Sequence, residues 1–158
     1  MRLTRQSSYA IRTLVYCAVN SPQLSRVADV AKAHNISELF LFKLIKPLVE
    51  AGLIETVRGR HGGIRLGRPA DKITLLDCVK LTEENFAMAE CFEGGDISCP
   101  LVLGCDLNAA LGEALQAFFD VLEGYTIADL AGKRRFIRLK LGLGLESPEA
   151  KLSAAPVN

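Results

Sequence analysis

Three glycines in five residues, Gly59-Arg60-His61-Gly62-Gly63, separate two short runs: Ile54, Thr56 and Arg58 alternating with Glu55 and Val57, and a return of Ile64, Arg65 and Leu66. Runs this short joined by a glycine-rich loop predict an antiparallel hairpin with a tight tip. Everything before the hairpin reads as helix. Over 4–20, Ala10, Leu14, Cys17 and Ala18 recur every three to four residues, with Leu3 extending the stripe, until Asn20-Ser21-Pro22 ends it. A second helix is predicted over 25–33, capped by Ser25 and apolar at Val27, Val30 and Ala31. After the link His34-Asn35-Ile36, Ser37 caps a third helix, with Ile36 and Leu41 as a hydrophobic staple. Phe40, Leu44 and Leu48 share a face of it, with Leu41 and Ile45 beside them. Pro47 predicts a bend or early unwinding, and Ala51-Gly52 closes the helix.

Three helices followed by a basic, glycine-tipped hairpin is the order of a winged helix-turn-helix, whose third helix fits the major groove of duplex DNA. The charges agree. Residues 1–68 hold eleven Lys/Arg against four acids, residues 69–131 two against twelve, and residues 132–158 six against two, although the whole chain is only +1. A basic front on an acidic middle points to a polyanion partner. On the third helix, Ser37, Lys43 and Lys46 are candidate base-edge or phosphate contacts, and Glu38 is a first-turn acid that could accept from cytosine. The hairpin would set Arg58, Arg60, His61 and Arg65 near phosphates or the minor groove, and Arg2 and Arg5 could clamp phosphates from the amino end. The competing reading is a winged helix that binds protein. His34, in its link, reads as polar surface.

Five cysteines remain. Cys17 and Cys78 read as small buried apolar residues; Cys78 lies in a helix capped by Thr74, facing inward with Leu75 and Val79. Cys91, Cys99 and Cys105 fall within fifteen residues, where Gly94-Gly95 and Pro100 bend the chain and could bring the thiols together. No close Cys pair and no fourth ligand marks a zinc site. Three thiolates without a fourth partner fit an iron–sulfur cluster with one externally ligated iron. Spacing alone leaves cluster, zinc and free redox-active thiols open. A long helix follows over 106–123, capped by Asp106, with Leu107, Leu111, Leu115, Phe118 and Leu122 on one side; its apolar surface is broad enough to join two copies of the chain. Thr126 starts a last short helix, the bases at Lys133, Arg134, Arg135, Arg138 and Lys140 read as solvated, and residues 141–158 read as a disordered tail.

The expected organisation is therefore a mainly α chain with a small β-wing: a winged helix-turn-helix DNA-binding domain over 1–80, a cysteine segment over 81–105, a dimerisation helix and short helix over 106–131, and a basic stretch with tail over 132–158. No run approaches a membrane span, and Arg12 interrupts the apolar stretch behind the start, so a cytoplasmic protein with no membrane partner is expected. The glycines lie on a hairpin rather than between strand and helix, which argues against a phosphate-binding enzyme, and two histidines offer no acid–base site. A redox or metal-handling protein without DNA binding stays as the rival class.

Met1-Arg2-Leu3-Thr4, Tyr9-Ala10, the Ser37-started helix, Gly52-Leu53-Ile54, Val57 to Gly63 and Leu66-Gly67 resemble the Rrf-type winged-helix regulators over about residues 1–130. Phe86 to Phe92, Cys99-Pro100-Leu101 and Leu107 to Leu111 look most like the iron-regulating RirA branch rather than the IscR or NsrR branches. The resemblance implies a homodimeric repressor that binds palindromic DNA, with Cys91, Cys99 and Cys105 holding a 4Fe-4S cluster that can convert to 2Fe-2S. It implies repression of iron-uptake genes when iron is plentiful, with nitric oxide or redox sensing, or control of cluster biogenesis, as alternatives. The histidine that IscR-like members carry after the third cysteine is missing here, leaving a water, a small thiol or a partner's acid as fourth ligand.

Overall fold

The computed structural model describes residues 2–89, 91–92, 98–100 and 104–144. Helix α1 (Arg5–Asn20) is the spine. Thr4 caps it, its hydroxyl accepting from the Ser7 amide, and the predicted stripe of Ala10, Leu14, Cys17 and Ala18 is buried. Helices α2 (Val27–His34) and α3 (Glu38–Glu50) pack against it and each other. Leu14 of α1 and Leu41 and Leu48 of α3 are fully buried, and burial of a side chain of that size stabilises the fold by about 1.5–3 kcal/mol.

Several local expectations are corrected by packing. Ser25 does not cap α2. Its backbone pairs with the hairpin, donating to the Ile64 carbonyl at 2.9 Å and accepting from the Ile64 amide at 2.8 Å, and Arg26 takes the cap position without a side-chain bond. Pro47 does not unwind α3, which runs to Glu50. One missing bond to the Lys43 carbonyl does not outweigh burial of Leu44, Ile45 and Leu48. His34 is not in a link; it ends α2, half-buried, with its ring edge-on to Tyr9 and Tyr16 at 6.5 and 6.1 Å.

Strands β1 (Ile54–Val57) and β2 (Gly63–Leu66) pair antiparallel, Ile54 opposite Leu66 and Val57 opposite Gly63. Buried Ile54 and Ile64 anchor the hairpin to the helices. A 3-10 turn (Ala70–Lys72) leads to α4 (Leu75–Thr82), which starts with a capping box between Thr74 and Asp77 and buries Leu76, Cys78 and Val79. Beyond the cysteines, α5 (Asp106–Glu123) is the longest helix among the described residues. Cys105 holds its cap position, so Asp106 is its first residue rather than its cap. The short α6 (Ile127–Leu130), with its own capping box between Thr126 and Asp129, packs on α1 and the 3-10 turn: Ile127 is fully buried and its amide donates to the Ile73 carbonyl at 2.9 Å.

Helix α7 (Arg134–Lys140) corrects the solvated reading for Arg134 and Arg138, while Lys133, Arg135 and Lys140 are exposed as expected. Arg134 donates to the carbonyls of Ala18, at 3.2 Å, and Ser21. Arg138 is buried and donates to the carbonyls of Val19 (2.8 Å), Leu143 (3.1 Å) and Gly144 (3.2 Å). Two guanidinium groups thus satisfy carbonyls at the negative end of α1, where a cation is favoured. Leu141 and Leu143 pack on the core; the rest of the expected tail, residues 145–158, lies outside the described residues.

Candidate nucleic-acid interface and cysteine site

The basic candidates lie on three elements. Arg5 opens α1 and Arg2 precedes it, both exposed. Arg5 and Arg12 lie over the Tyr9 ring at 5.8 and 5.2 Å, and Tyr9 meets Phe40 of α3 edge-on at 5.8 Å, so an aromatic contact joins the amino end of α1 to the start of α3. On α3, Ser37 is the cap, its Oγ accepting from the Phe40 amide at 3.2 Å. Lys43 and Lys46 are exposed, Lys46 lying 4.0 Å from Glu50 one turn on. A pair so exposed holds Lys46 only weakly.

The hairpin carries Arg58, Arg60 and His61 exposed at its tip. Gly59 has φ of 114°, a conformation L side chains rarely adopt, and a Cβ on Gly62 would stand 2.3 Å from the Val57 carbonyl oxygen. Both positions therefore require glycine to close the loop. Arg65 differs from the other wing bases. It lies opposite Glu55 in the ladder and binds that carboxylate through Nε and Nη2, both at 3.0 Å. Those two bonds hold the Glu55 carboxyl below its ordinary range and the Arg65 guanidinium above its own. Arg65 thus pairs across the strands while its side chain stays exposed.

Reading the polar face of α3 missed two residues. Leu39 is 67% exposed and Phe42 54% exposed. They share the outward face with Lys43 and Lys46, opposite buried Leu41, Leu44, Ile45 and Leu48. Helical spacing alone placed them there, since neither fits the stripe that packs inward.

The five cysteines fall into two kinds. Cys17 and Cys78 are buried, and burial pushes each thiol up to about 12, so neither supplies thiolate near neutral pH. Cys91 and Cys105 are half-buried and Cys99 is exposed. The expected convergence does not occur: among the described residues no three His, Cys, Asp or Glu side chains gather closely enough to hold a metal. Gly94-Gly95, expected to bend the chain, lie outside the described residues. The donor chemistry nonetheless fits an iron–sulfur cluster, with three accessible thiols in one segment. One turn into α5 from Cys105, the Asn108 side-chain oxygen is buried without a partner, in a hollow of about 420 Å³ lined by Phe92, Leu115, Gln116 and Phe119.

The cysteine segment is tied at its start to both neighbours. Glu83, the residue after α4, accepts from the Thr4 amide at 2.7 Å, from the Thr4 hydroxyl at 3.1 Å and from the Ser7 hydroxyl. Burial pushes its carboxyl up, but the bonds from Ser7 and Thr4 outweigh this and hold it below the ordinary range. Three residues on, Phe86 meets Phe119 of α5 edge-on at 4.9 Å, with the Lys80 ammonium 5.3 Å from the Phe119 ring. Between these ties lies a cavity of about 340 Å³ lined by Arg2, Glu83, Phe86 and Phe118. Sequence patterning missed Glu83 because a lone acid after a helix carries no periodic signal.

Three packed helices, a two-stranded wing and a long following helix define a winged helix-turn-helix protein. Residues 3–133 match the Rrf2 family of iron-dependent transcriptional regulators, and the chain belongs to that family. It is 62% identical over 143 residues to protein aau3 of Rhizobium meliloti, covering 90% of this chain and 93% of that one. It is 39% identical over 139 residues to the HTH-type transcriptional regulator NsrR of Bacillus licheniformis, covering 87% and 97%. Among solved structures, oxidized CymR of Staphylococcus aureus superposes with a TM-score of 0.67 at 27% identity, over 83% of this chain and 96% of that one. These names support the family as a whole and do not single out the RirA branch. Among the described residues no helix is long and apolar enough to cross a membrane.

Proposed function

We propose that this regulator is a redox- or nitric-oxide-responsive repressor. It binds palindromic duplex DNA as a homodimer, with its grip set by an iron–sulfur cluster on Cys91, Cys99 and Cys105. The observation that carries the reading is the division of the cysteines: two are sealed in the core, and three are accessible in the segment between α4 and α5. Arg2, Arg5, Ser37, Lys43, Lys46, Arg58, Arg60 and His61 form the DNA surface, together with Arg65, which is exposed and paired across the wing. The relatives named NsrR support this reading. The exposed apolar residues of α5, Leu107 and Val121, support pairing of two copies.

When bound, the cluster would supply a centre that oxygen, nitric oxide or iron loss can dismantle. What the chain contributes is connection. Glu83 fastens the start of the cysteine segment to the first turn of α1, beside Arg2 and Arg5, and Phe86 fastens it to α5. Rearrangement of the segment therefore reaches one DNA-facing element and the helix proposed to set the spacing of two heads. That is a population shift between two dimer geometries.

The second reading is iron-responsive repression of iron-uptake genes, favoured by the family's description as iron-dependent regulators. One experiment separates the two. Anaerobically reconstituted protein is bound to a labelled operator, then exposed in parallel to nitric oxide, to air and to a ferrous chelator. Release by nitric oxide or air at concentrations where the chelator does nothing supports the first reading; release by the chelator alone supports the second. Equal binding by holo and apo protein under every treatment rejects both.

A further inference from the structure

The outward face of α3 is apolar where a DNA-reading helix is expected to be polar. Leu39 and Phe42, one turn apart in its amino-terminal half, are 67% and 54% exposed. They stand beside exposed Lys43 and Lys46, with no described element of the chain covering them. A single exposed Leu needs no explanation, but two large side chains on a cationic helix face form a patch that calls for an occupant. The charges name it. Flanking lysines on the helix, with arginines at the wing tip, suit a polyanion whose groove offers apolar groups among phosphates. The major groove has one such group, the thymine C5 methyl.

We infer that Leu39 and Phe42 are specificity-determining residues that read thymine methyl groups in the major groove by apolar contact. Lys43 and Lys46 supply charge beside them. This rests on the DNA-binding reading above and adds what the helix recognises. Operator choice then depends on where methyl groups project into the groove, not on hydrogen bonds from α3 alone.

The test uses full-length reconstituted protein. Duplexes are selected from a randomised pool, and each thymine of the selected half-site is replaced singly by deoxyuridine, which removes only the methyl. At one or two thymines the wild-type protein is expected to lose about fourfold in affinity, the transfer free energy of one buried methyl read as an equilibrium ratio. Phe42→Ala or Leu39→Ala should bind the thymine and uracil duplexes equally at the corresponding position, with thermal midpoints unchanged because both side chains are exposed. Lys43→Ala should weaken both duplexes alike and reduce the salt dependence. Methyl sensitivity that survives both apolar substitutions, or is absent in the wild type, overturns the inference while leaving DNA binding intact. Light scattering that shows Phe42→Ala changing subunit association, with methyl sensitivity unaltered, assigns the patch to protein contact and overturns it too. A pool that yields no preferred sequence overturns the DNA-binding reading and this inference with it.

Discussion

The reading head, α1 through α4, and the cysteine segment that follows it are built by different rules. In the head each functional position is fixed by local chemistry. Ser37 caps α3, Gly59 and Gly62 close the wing, and Ile54 and Ile64 bind the wing to the core. In the described part of the cysteine segment, Glu83 and Phe86 fix one end, and the three thiols are not brought together. A DNA surface can be formed by the chain alone. A cluster site needs its metal to finish it, because binding energy and ordering arrive together.

The largest expected effect lies in the segment. Cys91→Ala, Cys99→Ala or Cys105→Ala should each abolish the cluster's visible absorbance after anaerobic reconstitution. Cys17→Ala should keep it and cost about 1 kcal/mol of stability, a typical core truncation. Equal cluster content in all four variants would erase the distinction between accessible and buried thiols.

Stability should divide the molecule next. Leu48→Ala, at a fully buried site of α3, should lower the unfolding free energy by about 2–5 kcal/mol in urea titrations. Leu107→Ala, on the exposed side of α5, should barely change it but should raise the dimer dissociation constant. A monomer–dimer equilibrium indifferent to Leu107 would remove α5 as the joining helix. Arg138→Ala, which strips donors from the carbonyls of Val19, Leu143 and Gly144, should cost about 1–3 kcal/mol.

The smallest effect sharpens the tie between the regions. Glu83 has a folded-state carboxyl held below its ordinary range. Its contribution is therefore complete above the ordinary glutamate value and is lost as pH falls through the lowered folded value. Melting temperatures followed from about pH 6 to about pH 3 should show a shallower acid decline for Glu83→Gln than for the wild type. Identical slopes would mean the carboxylate does not fasten the segment.

What sequence made legible follows the same division. The caps at Ser37 and Thr74, the short helix starting at Thr126, the glycine hairpin and the burial of Cys17 and Cys78 are local signals, and each appears in the fold. Ser25 was misread because pairing with Ile64, 39 residues away, overrides its capping propensity. Arg134 and Arg138 looked solvated because nothing near them in sequence reveals the carbonyls of α1. Arg65 is legible as a wing base, whereas its pairing with Glu55 across the ladder is visible only once the register is known. The candidate DNA residues are legible as a basic surface, and helical spacing already sets Leu39 and Phe42 on the outward side of α3.

The most direct measurement is native mass spectrometry of the oxygen-free protein supplied with iron and sulfide, which reads subunit number and cluster mass together. Two chains, each carrying one cluster that is lost in the Cys99→Ala protein, are expected. A dimer of bare polypeptide mass, or cluster uptake indifferent to Cys99, would contradict the assignment of the three accessible thiols as the switch.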